Sequence, residues 1–296
     1  MNKKLKTGIW GVCGRQRFRS NLIILLCLIA ALAASFIYKT KADRYSVLIG
    51  EDSGIVKKIK NIDTLVIDAD YFSESDISML RNQGVREIYT YINIGSIEKS
   101  REYYQDYEKY TLDCYENWPD EKWIDVAEKN WQEFIDSRVD EFIKKGVDGF
   151  FVDNADVYYM YPRDDVYNGI ENILSYIQNK DKKIIINGGD SFVKRYFSEN
   201  DNSIFDGVNQ ENVYTSYDFD NKRYVRNDKE TRDYYTQYLD LVSQHGCTAY
   251  VTEYAVDKRI QREAAEYSRK HKYICYVSNN IDLLVKKPID QTTKIN

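Results

Sequence analysis

The sequence alternates between short apolar runs and longer segments in which apolar residues recur every three or four positions. Most of the short runs are nearly continuous in apolar side chains, as in FFV at 150–152, and this pattern is typical of parallel strands buried on both faces. We predict strands at residues 45–50, 64–69, 87–95, 148–154, 183–188, 205–212, 248–255 and 273–279. The run at 150–152 is expected to fill the interior of the barrel.

The segments between these strands predict helices at residues 73–83, 128–145, 166–179, 231–244 and 258–270. Ser73 and Asp76 form a capping-box pair at the start of the first helix. Gly84, Gly146 and Gly246 follow the ends of three helices, where glycine often terminates helical structure. Eight strands with intervening helices predict a single (β/α)8 TIM barrel. A doubly wound sheet is the alternative, but no glycine-rich phosphate turn follows the first strand.

An apolar segment at residues 22–38, within NLIILLCLIAALAASFIY, has basic residues on both sides. It is close to the about 20 residues that span a bilayer, and the basic residues before it predict a cytoplasmic N-terminus. The segment is either a signal anchor or, because of Ala31-Leu32-Ala33, a cleaved signal peptide. We expect a leader at 1–41, a barrel domain at 42–290 and a tail at 291–296. Both fates place the barrel on the extracellular face of the cell membrane or outside the cell.

Charge and composition narrow the function. Residues 1–41 hold eight of the 42 Lys and Arg and none of the 47 Asp and Glu, which leaves −13 on residues 42–296. An acidic body of this kind argues against nucleic acid and is compatible with a neutral or cationic ligand. With two histidines in 296 residues, we expect neither a metal site nor another cofactor. We expect a monomer.

Polar residues follow the predicted strands, at the end where a parallel barrel carries its active site. Carboxylates and carboxamides hydrogen-bond sugar hydroxyls, and tyrosine rings pack against sugar rings. The residues selected at these strand ends are Asp68, Tyr91, Asn93, Asp153, Asn154, Asn187, Gln210, Glu211, Glu253 and Tyr254. Asp70, Asp156 and Asp190 are instead interpreted as turn or cap residues. A pair of opposed carboxylates in such a ring can cleave a glycosidic bond.

Several motifs together resemble the endo-α-1,4-polygalactosaminidase family of glycoside hydrolases, the glycoside hydrolase family 114-like proteins. They are GVDGFFVDNADVYY at 146–159, NGG at 187–189, VNQENVY at 208–214, TEYA at 252–255, YINIGSIEKSREYY at 91–104 and VIDADYF at 66–72. The resemblance covers roughly residues 45–285. It implies a (β/α)8 barrel, Asp153 as the nucleophile and Glu211 as the acid/base. It also implies a galactosamine-rich polymer as substrate, cationic where it is deacetylated.

The hypothesis is therefore an exported endo-acting hydrolase of an amino-sugar polysaccharide. Asp68 and Glu253 would bind the sugar or its ammonium group, and the remaining strand-end residues would shape the pocket. The Tyr- and Trp-rich segment at 103–123 would lie as a loop over the barrel and line the cleft. Two alternatives stay open: a cell-surface barrel that binds polysaccharide without cutting it, and a glycosidase that acts on another sugar. The distance between Asp153 and Glu211 would separate retention from inversion.

Overall fold

The computed structural model describes residues 44–116 and 118–285. The predicted leader at 1–41 and the tail at 291–296 lie outside the described residues. Within the described ranges, no helix is both long enough and apolar enough to cross a membrane.

Eight parallel strands form a nearly closed barrel surrounded by helices, so the predicted fold class is confirmed at this level. The strands are β1 (Tyr45–Leu48), β2 (Thr64–Ile67), β3 (Glu87–Asn93), β7 (Gly149–Asp153), β8 (Lys183–Asn187), β9 (Gly207–Glu211), β12 (Thr248–Tyr254) and β13 (Ile274–Ser278). They are hydrogen-bonded to each other in this order, with β1 and β13 at the two ends. Each lies within a predicted strand.

Helices follow most of the barrel strands. They are α1 (Glu74–Asn82), α2 (Tyr104–Tyr107), α3 (Lys129–Lys145), α4 (Val157–Met160), α5 (Asp164–Asn179), α6 (Asp190–Glu199), α7 (Lys229–Gln244) and α8 (Lys258–His271). The predicted capping box is present, because Ser73 and Asp76 exchange side-chain to backbone hydrogen bonds. Gly146 ends α3 at φ +97°, which a residue with a Cβ rarely adopts. α6 was not predicted.

The strands alternate between two cores, with a period of two residues. Phe151 and Ile185 belong to a cluster inside the barrel, together with Tyr89 and Tyr250. Phe150 and its neighbours of the same parity belong to the larger cluster between the barrel and the helices. The expectation that residues 150–152 all fill the interior was wrong, because only the central residue of the three points inward.

Two segments rise from the carboxyl end of the barrel. We call residues 96–124 the flap; it carries β4 (Ser96–Glu98), β5 (Thr111–Cys114) and β6 (Glu121–Ile124) in an antiparallel sheet ordered β4-β6-β5. We call residues 215–226 the rim hairpin, formed by β10 (Thr215–Asp218) and β11 (Arg223–Arg226). The segment at 103–123, predicted as a loop, therefore contains two strands and α2. The alternation of apolar and polar residues in these two strands is short and irregular, so the sequence pattern does not identify them.

Candidate active site

The centre of the site is built from the last residues of three neighbouring strands. Asp153 ends β7, Asn187 ends β8 and Glu211 ends β9. Because the strands are parallel and adjacent, their carboxyl ends bring these three side chains together at one edge of the barrel. Asp153 has the same strand parity as Phe151, and Glu211 the same as Asn209, so these side chains are directed toward the barrel axis.

One carboxamide links the two acids. The Asn187 Nδ2 donates to Asp153 Oδ1 at 2.9 Å and to Glu211 Oε1 at 3.0 Å. Since both acceptors contact the same nitrogen, the two oxygens lie no more than about 6 Å apart, the combined length of the two bonds. The sequence predicted all three residues for the pocket. The bridging task of Asn187 became visible only in the structure.

The site raises the pKa of the Asp153 carboxyl group. Burial is the main cause that raises its pKa to about 8, and the negative charges of Glu211 and Glu121 raise the pKa further, against the hydrogen bond from Asn187. A pKa of about 8 keeps a proton on Asp153 at neutral pH. Glu211 has an additional donor, because the Tyr254 hydroxyl donates to Glu211 Oε2 at 2.6 Å.

A hydrogen-bonded chain inside the barrel holds the Asn187 amide in its orientation. Asn209 Nδ2 donates to Asn187 Oδ1 at 2.7 Å, and Thr252 Oγ1 donates to Asn209 Oδ1 at 3.0 Å. The Tyr45 hydroxyl also donates to Asn209 Oδ1, at 3.2 Å. With its oxygen occupied, Asn187 can offer only N–H groups to the acids. Asn209 was not selected from the sequence, although its spacing of two from Glu211 is a signal that could have identified it.

A second group of contacts joins the flap to the barrel beside Asp153. Asn93, which pairs with Asp153 across β3 and β7, donates to Glu121 Oε1 at 2.9 Å and to Ser96 Oγ at 2.7 Å. Asn154 donates to Ser96 Oγ at 2.8 Å and to Glu121 Oε1 at 3.2 Å. Glu121 lies in the flap, far from any barrel strand in sequence, and strand-end reasoning could not find it. The two predicted amides thus hold the flap to the rim.

Asp68 belongs to an ion-pair cluster. Arg101 contacts Asp68 Oδ2 at 2.9 Å and Asp70 Oδ2 at 3.0 Å, and Asp68 is only 3% exposed. The Tyr91 hydroxyl lies 3.3 Å from Glu98, which also pairs with Arg101. The carboxylate of Asp68 is therefore neutralised inside the protein, and a sugar ammonium would have to displace Arg101 to reach it. We revise its role to positioning the flap, which carries Arg101.

Glu253 and Gln210 occupy strand positions whose side chains point away from the barrel axis, so they do not face the pocket. Glu253 is 0% exposed and accepts hydrogen bonds from the backbone N–H groups of Tyr214 and Thr215 and from the Thr215 hydroxyl, at 2.6–2.8 Å. It anchors the rim hairpin. Gln210 is nearly buried, and its amide donates to the backbone oxygen of Glu211. The predicted sugar contacts are corrected accordingly, because alternate residues of a strand face opposite sides.

Asp156 occupies the N-cap position of α4, but its side chain makes no capping hydrogen bond there. Its Oδ2 accepts from the Gly189 backbone N–H at 3.1 Å, and burial is the main cause that raises its pKa to about 6. Gly188 passes so close that a Cβ there would lie 2.7 Å from the same oxygen, and both Gly188 and Gly189 have positive φ, at +68° and +66°, which favours glycine at these two positions. Asp190, in contrast, pairs with Lys194 at 2.7 Å, as its role in a helix start suggests.

Carboxyl groups therefore accumulate at this rim without Lys or Arg ion-pair partners. Asp153, Asp156, Glu211 and Glu121 form no ion pair with Lys or Arg within residues 44–116 and 118–285. In the same ranges, no cluster of three His, Cys, Asp or Glu side chains is placed to hold a metal ion. The arrangement can transfer protons and attract a cation with side chains alone.

A family model described as glycoside-hydrolase family GH114 matches residues 29–287. The chain belongs to glycoside-hydrolase family GH114. It is a glycoside hydrolase, in agreement with the resemblance found in its motifs. A search of curated protein sequences finds no match.

Solved structures agree with this GH114 barrel in fold. The glycoside hydrolase domain of PelA from Pseudomonas aeruginosa is 17% identical, with a TM-score of 0.69 over 83% of this chain and 97% of that domain. Ega3 of Aspergillus fumigatus, determined in complex with galactosamine, is 16% identical, with a TM-score of 0.63 over 82% of this chain and 93% of its own. The α-galactosidase of Thermus thermophilus reaches 0.53 at 10% identity, over 83% of this chain and 59% of its own.

Proposed function

We propose that this protein is an endo-acting hydrolase of α-1,4-linked, galactosamine-rich polysaccharide and that Asp153 and Glu211 carry the reaction. The observation that carries the proposal is the Asn187 amide, which contacts both carboxyl groups at 2.9 and 3.0 Å. Membership of GH114 and the galactosamine complex of the structurally similar Ega3 support the reaction class and the sugar.

The separation of the acids supports a retaining mechanism. Retaining glycosidases place their carboxyl groups about 5–5.5 Å apart, and inverting enzymes roughly 6.5–9.5 Å apart. The limit of about 6 Å set by the shared nitrogen lies below the inverting range. An inverting water between the acids would also have to displace the Asn187 amide from one of them.

In the proposed first step, an Asp153 oxygen attacks the anomeric carbon as the glycosidic C–O bond breaks, and Glu211 gives its proton to the leaving oxygen. In the second step, Glu211 takes a proton from water, and the water oxygen displaces Asp153 from the sugar. The cycle needs one proton on the pair. Because the pKa of Asp153 is raised to about 8, the Asp153–Glu211 pair keeps this proton up to about pH 8. In the reactive form, the proton of the pair is on Glu211. Asp153 and Glu211 are close enough to exchange this proton, because both carboxyl groups contact Asn187.

The proposed ligand charge follows from the site. Four carboxyl groups gather at the mouth without Lys or Arg partners among the described residues, and an ammonium group on the sugar would offset their mutual repulsion. A deacetylated galactosamine residue carries such a group. Its charge would also favour the ionised form of Asp153 that attacks the sugar.

The test is hydrolysis of partially deacetylated galactosaminogalactan by the full-length protein. We expect soluble oligosaccharides from the parent and at least a 100-fold slower release from Asp153→Asn and from Glu211→Gln. Asp136→Asn is the matched control, because burial also raises the pKa of Asp136 but this residue lies on α3. NMR of the first product should show the anomeric configuration of the substrate. Binding without cleavage by the parent would contradict the proposal and favour a binding barrel.

We also infer from the basic and apolar pattern of residues 1–41 that the barrel acts outside the cytoplasm. A reporter active only outside the cytoplasm, fused after residue 296, should be active with residues 1–41 present and inactive without them. Equal activity of both fusions would contradict this inference.

A further inference from the structure

Exposed aromatic side chains concentrate on one face of the barrel. Among residues 44–116 and 118–285, the aromatic side chains more than a third exposed are Tyr71, Trp118, Tyr159, Phe219 and Tyr234. Tyr71 follows β2, Trp118 lies in the flap after β3, Tyr159 follows β7 and Phe219 lies in the rim hairpin after β9. Four of the five therefore lie in segments at the carboxyl ends of strands. Exposed aromatic rings gathered around one opening indicate a binding surface.

Two of these rings touch each other. Trp118 is 44% exposed and Phe219 is 44% exposed, and their ring centroids lie 6.4 Å apart at an interplanar angle of 82°. An edge-to-face contact of this kind covers a face of only one of the two rings, and both side chains remain exposed. Tyr217, on the rim hairpin, supports Phe219 with a second edge contact at 5.0 Å. The flap and the rim hairpin are 100 residues apart in sequence at this point, and each leaves the barrel from a different strand.

The contact spans the rim that carries the acids. In the sheet, β7 and β8 separate β3, from which the flap starts, from β9, from which the rim hairpin starts. The strands β7, β8 and β9 end in Asp153, Asn187 and Glu211, respectively. A ring contact between the two segments therefore crosses above this part of the rim. Tyr115 of the flap fits this position, because its pKa is raised first by burial and then by the charges of Asp153 and Asp156.

The bases of both segments are fixed. The amides of Asn93 and Asn154 hold Glu121 and Ser96 of the flap, and Tyr115 stacks on Trp123 at 4.4 Å. Glu253 holds Thr215 at the start of the rim hairpin with hydrogen bonds to its N–H and hydroxyl. The two aromatic rings are thus presented by anchored supports, which lowers the entropy lost when a sugar binds to them.

We propose that Trp118 and Phe219 form a polysaccharide-binding subsite that contacts sugars of the chain beyond the pair joined by the cleaved bond. Their open ring faces pack against the apolar faces of pyranose rings, and their contact across the rim keeps the chain over the acids. The inference rests on the proposed function for the identity of the polymer. It adds a reason for action within long chains, since a chain longer than the pocket gains contacts that a short one lacks.

The test measures how the loss depends on chain length. With Trp118→Ala and with Phe219→Ala, we expect kcat/KM to fall about tenfold on partially deacetylated galactosaminogalactan, mainly through KM, and to fall progressively less on shorter galactosamine oligosaccharides. Trp118→Phe and Phe219→Tyr keep ring faces and should recover most of the loss. Met79→Ala, which removes an exposed apolar side chain from α1, is the control and should behave as the parent.

Binding of the uncut polymer separates this inference from the proposed function. In a protein carrying Asp153→Asn and Glu211→Gln, adding Trp118→Ala should weaken binding of the same polymer about tenfold in affinity electrophoresis, whether or not the parent cuts it. Unchanged affinity, or an equal loss of kcat/KM at every chain length, would overturn the subsite. An inactive parent whose polymer affinity still depends on Trp118 would refute the hydrolase proposal and leave the subsite supported.

Discussion

Replacing Asp153 by asparagine should stabilise the fold, and the gain should increase with pH. Burial raises the pKa of Asp153 from an ordinary 3.8 to about 8. Between these values, the folded protein keeps a proton that the unfolded chain has released. The stability associated with the protonated carboxyl is fully present below about pH 4 and is lost as the pH rises to about 8.

The size of the effect follows from proton linkage. With one proton retained in the folded state, the free energy of unfolding falls by about 1.4 kcal/mol for each unit by which the pH rises. Ionisation of Asp153 in the unfolded chain therefore lowers the free energy of unfolding by about 3 kcal/mol as the pH rises from 5 to 7. Asparagine has the same shape and stays neutral. The stability difference between Asp153→Asn and the parent should therefore grow by about 3 kcal/mol over this interval, or roughly 6–12 °C in melting temperature for a domain of this size.

The assay is thermal unfolding, followed by circular dichroism at pH 5, 6, 7 and 8 in buffers of equal ionic strength. Asp190→Asn is the control, because Lys194 and the Tyr234 hydroxyl help to lower the pKa of Asp190. Its carboxylate stabilises the fold above its ordinary pKa, so this variant should lose a constant amount of stability over pH 5–8. A pH-independent difference for Asp153→Asn would refute the retained proton.

Three further variants test the surrounding contacts. Asn187→Ala removes the donor shared by the acids, and we expect at least a 100-fold lower kcat on polymer with a melting temperature within a few degrees of the parent. Tyr254→Phe removes the 2.6 Å hydrogen bond that positions the Glu211 carboxyl group, and we expect about a tenfold lower kcat on polymer with a melting temperature within a few degrees of the parent. Glu253→Gln turns one buried acceptor into a donor facing Thr215 or Tyr214, and should lower the free energy of unfolding by about 2 kcal/mol in denaturant titration. An unchanged kcat for Asn187→Ala or Tyr254→Phe, or an unchanged denaturant midpoint for Glu253→Gln, would contradict these expectations.

The barrel could be predicted because its signals are local. Most barrel strands are runs of apolar residues, and three of the five predicted helices are followed by a terminating glycine. The flap escaped prediction because its strands are short and pair with each other rather than with the barrel. The helix Asp190–Glu199 was missed, although Phe192, Val193, Tyr196 and Phe197 form a buried face with helical spacing.

The candidate site could be predicted only in part. Position at the end of a strand is enough to select Asp153, Asn187 and Glu211, since parallel strands bring their carboxyl ends to one edge. The same rule also selected Gln210 and Glu253, because it ignores the alternation that turns every second side chain away from the axis. Parity can be read from sequence once a strand's register is known, but the register is fixed by the neighbouring strands.

By itself, the sequence determined the eight-stranded barrel, the acidic body and the two carboxylates whose motifs resemble those of glycoside hydrolases. Only the tertiary structure decided which carboxyl groups have cationic partners. It placed Arg101 of the flap on Asp68 and left Asp153, Asp156 and Glu211 without cations, within the part of the chain that is described. The physical reason is that a carboxylate's function depends on its partners and its burial. Arg101, Glu121 and Trp118 all lie in the flap, and no local sequence pattern encodes the position of the flap relative to the barrel.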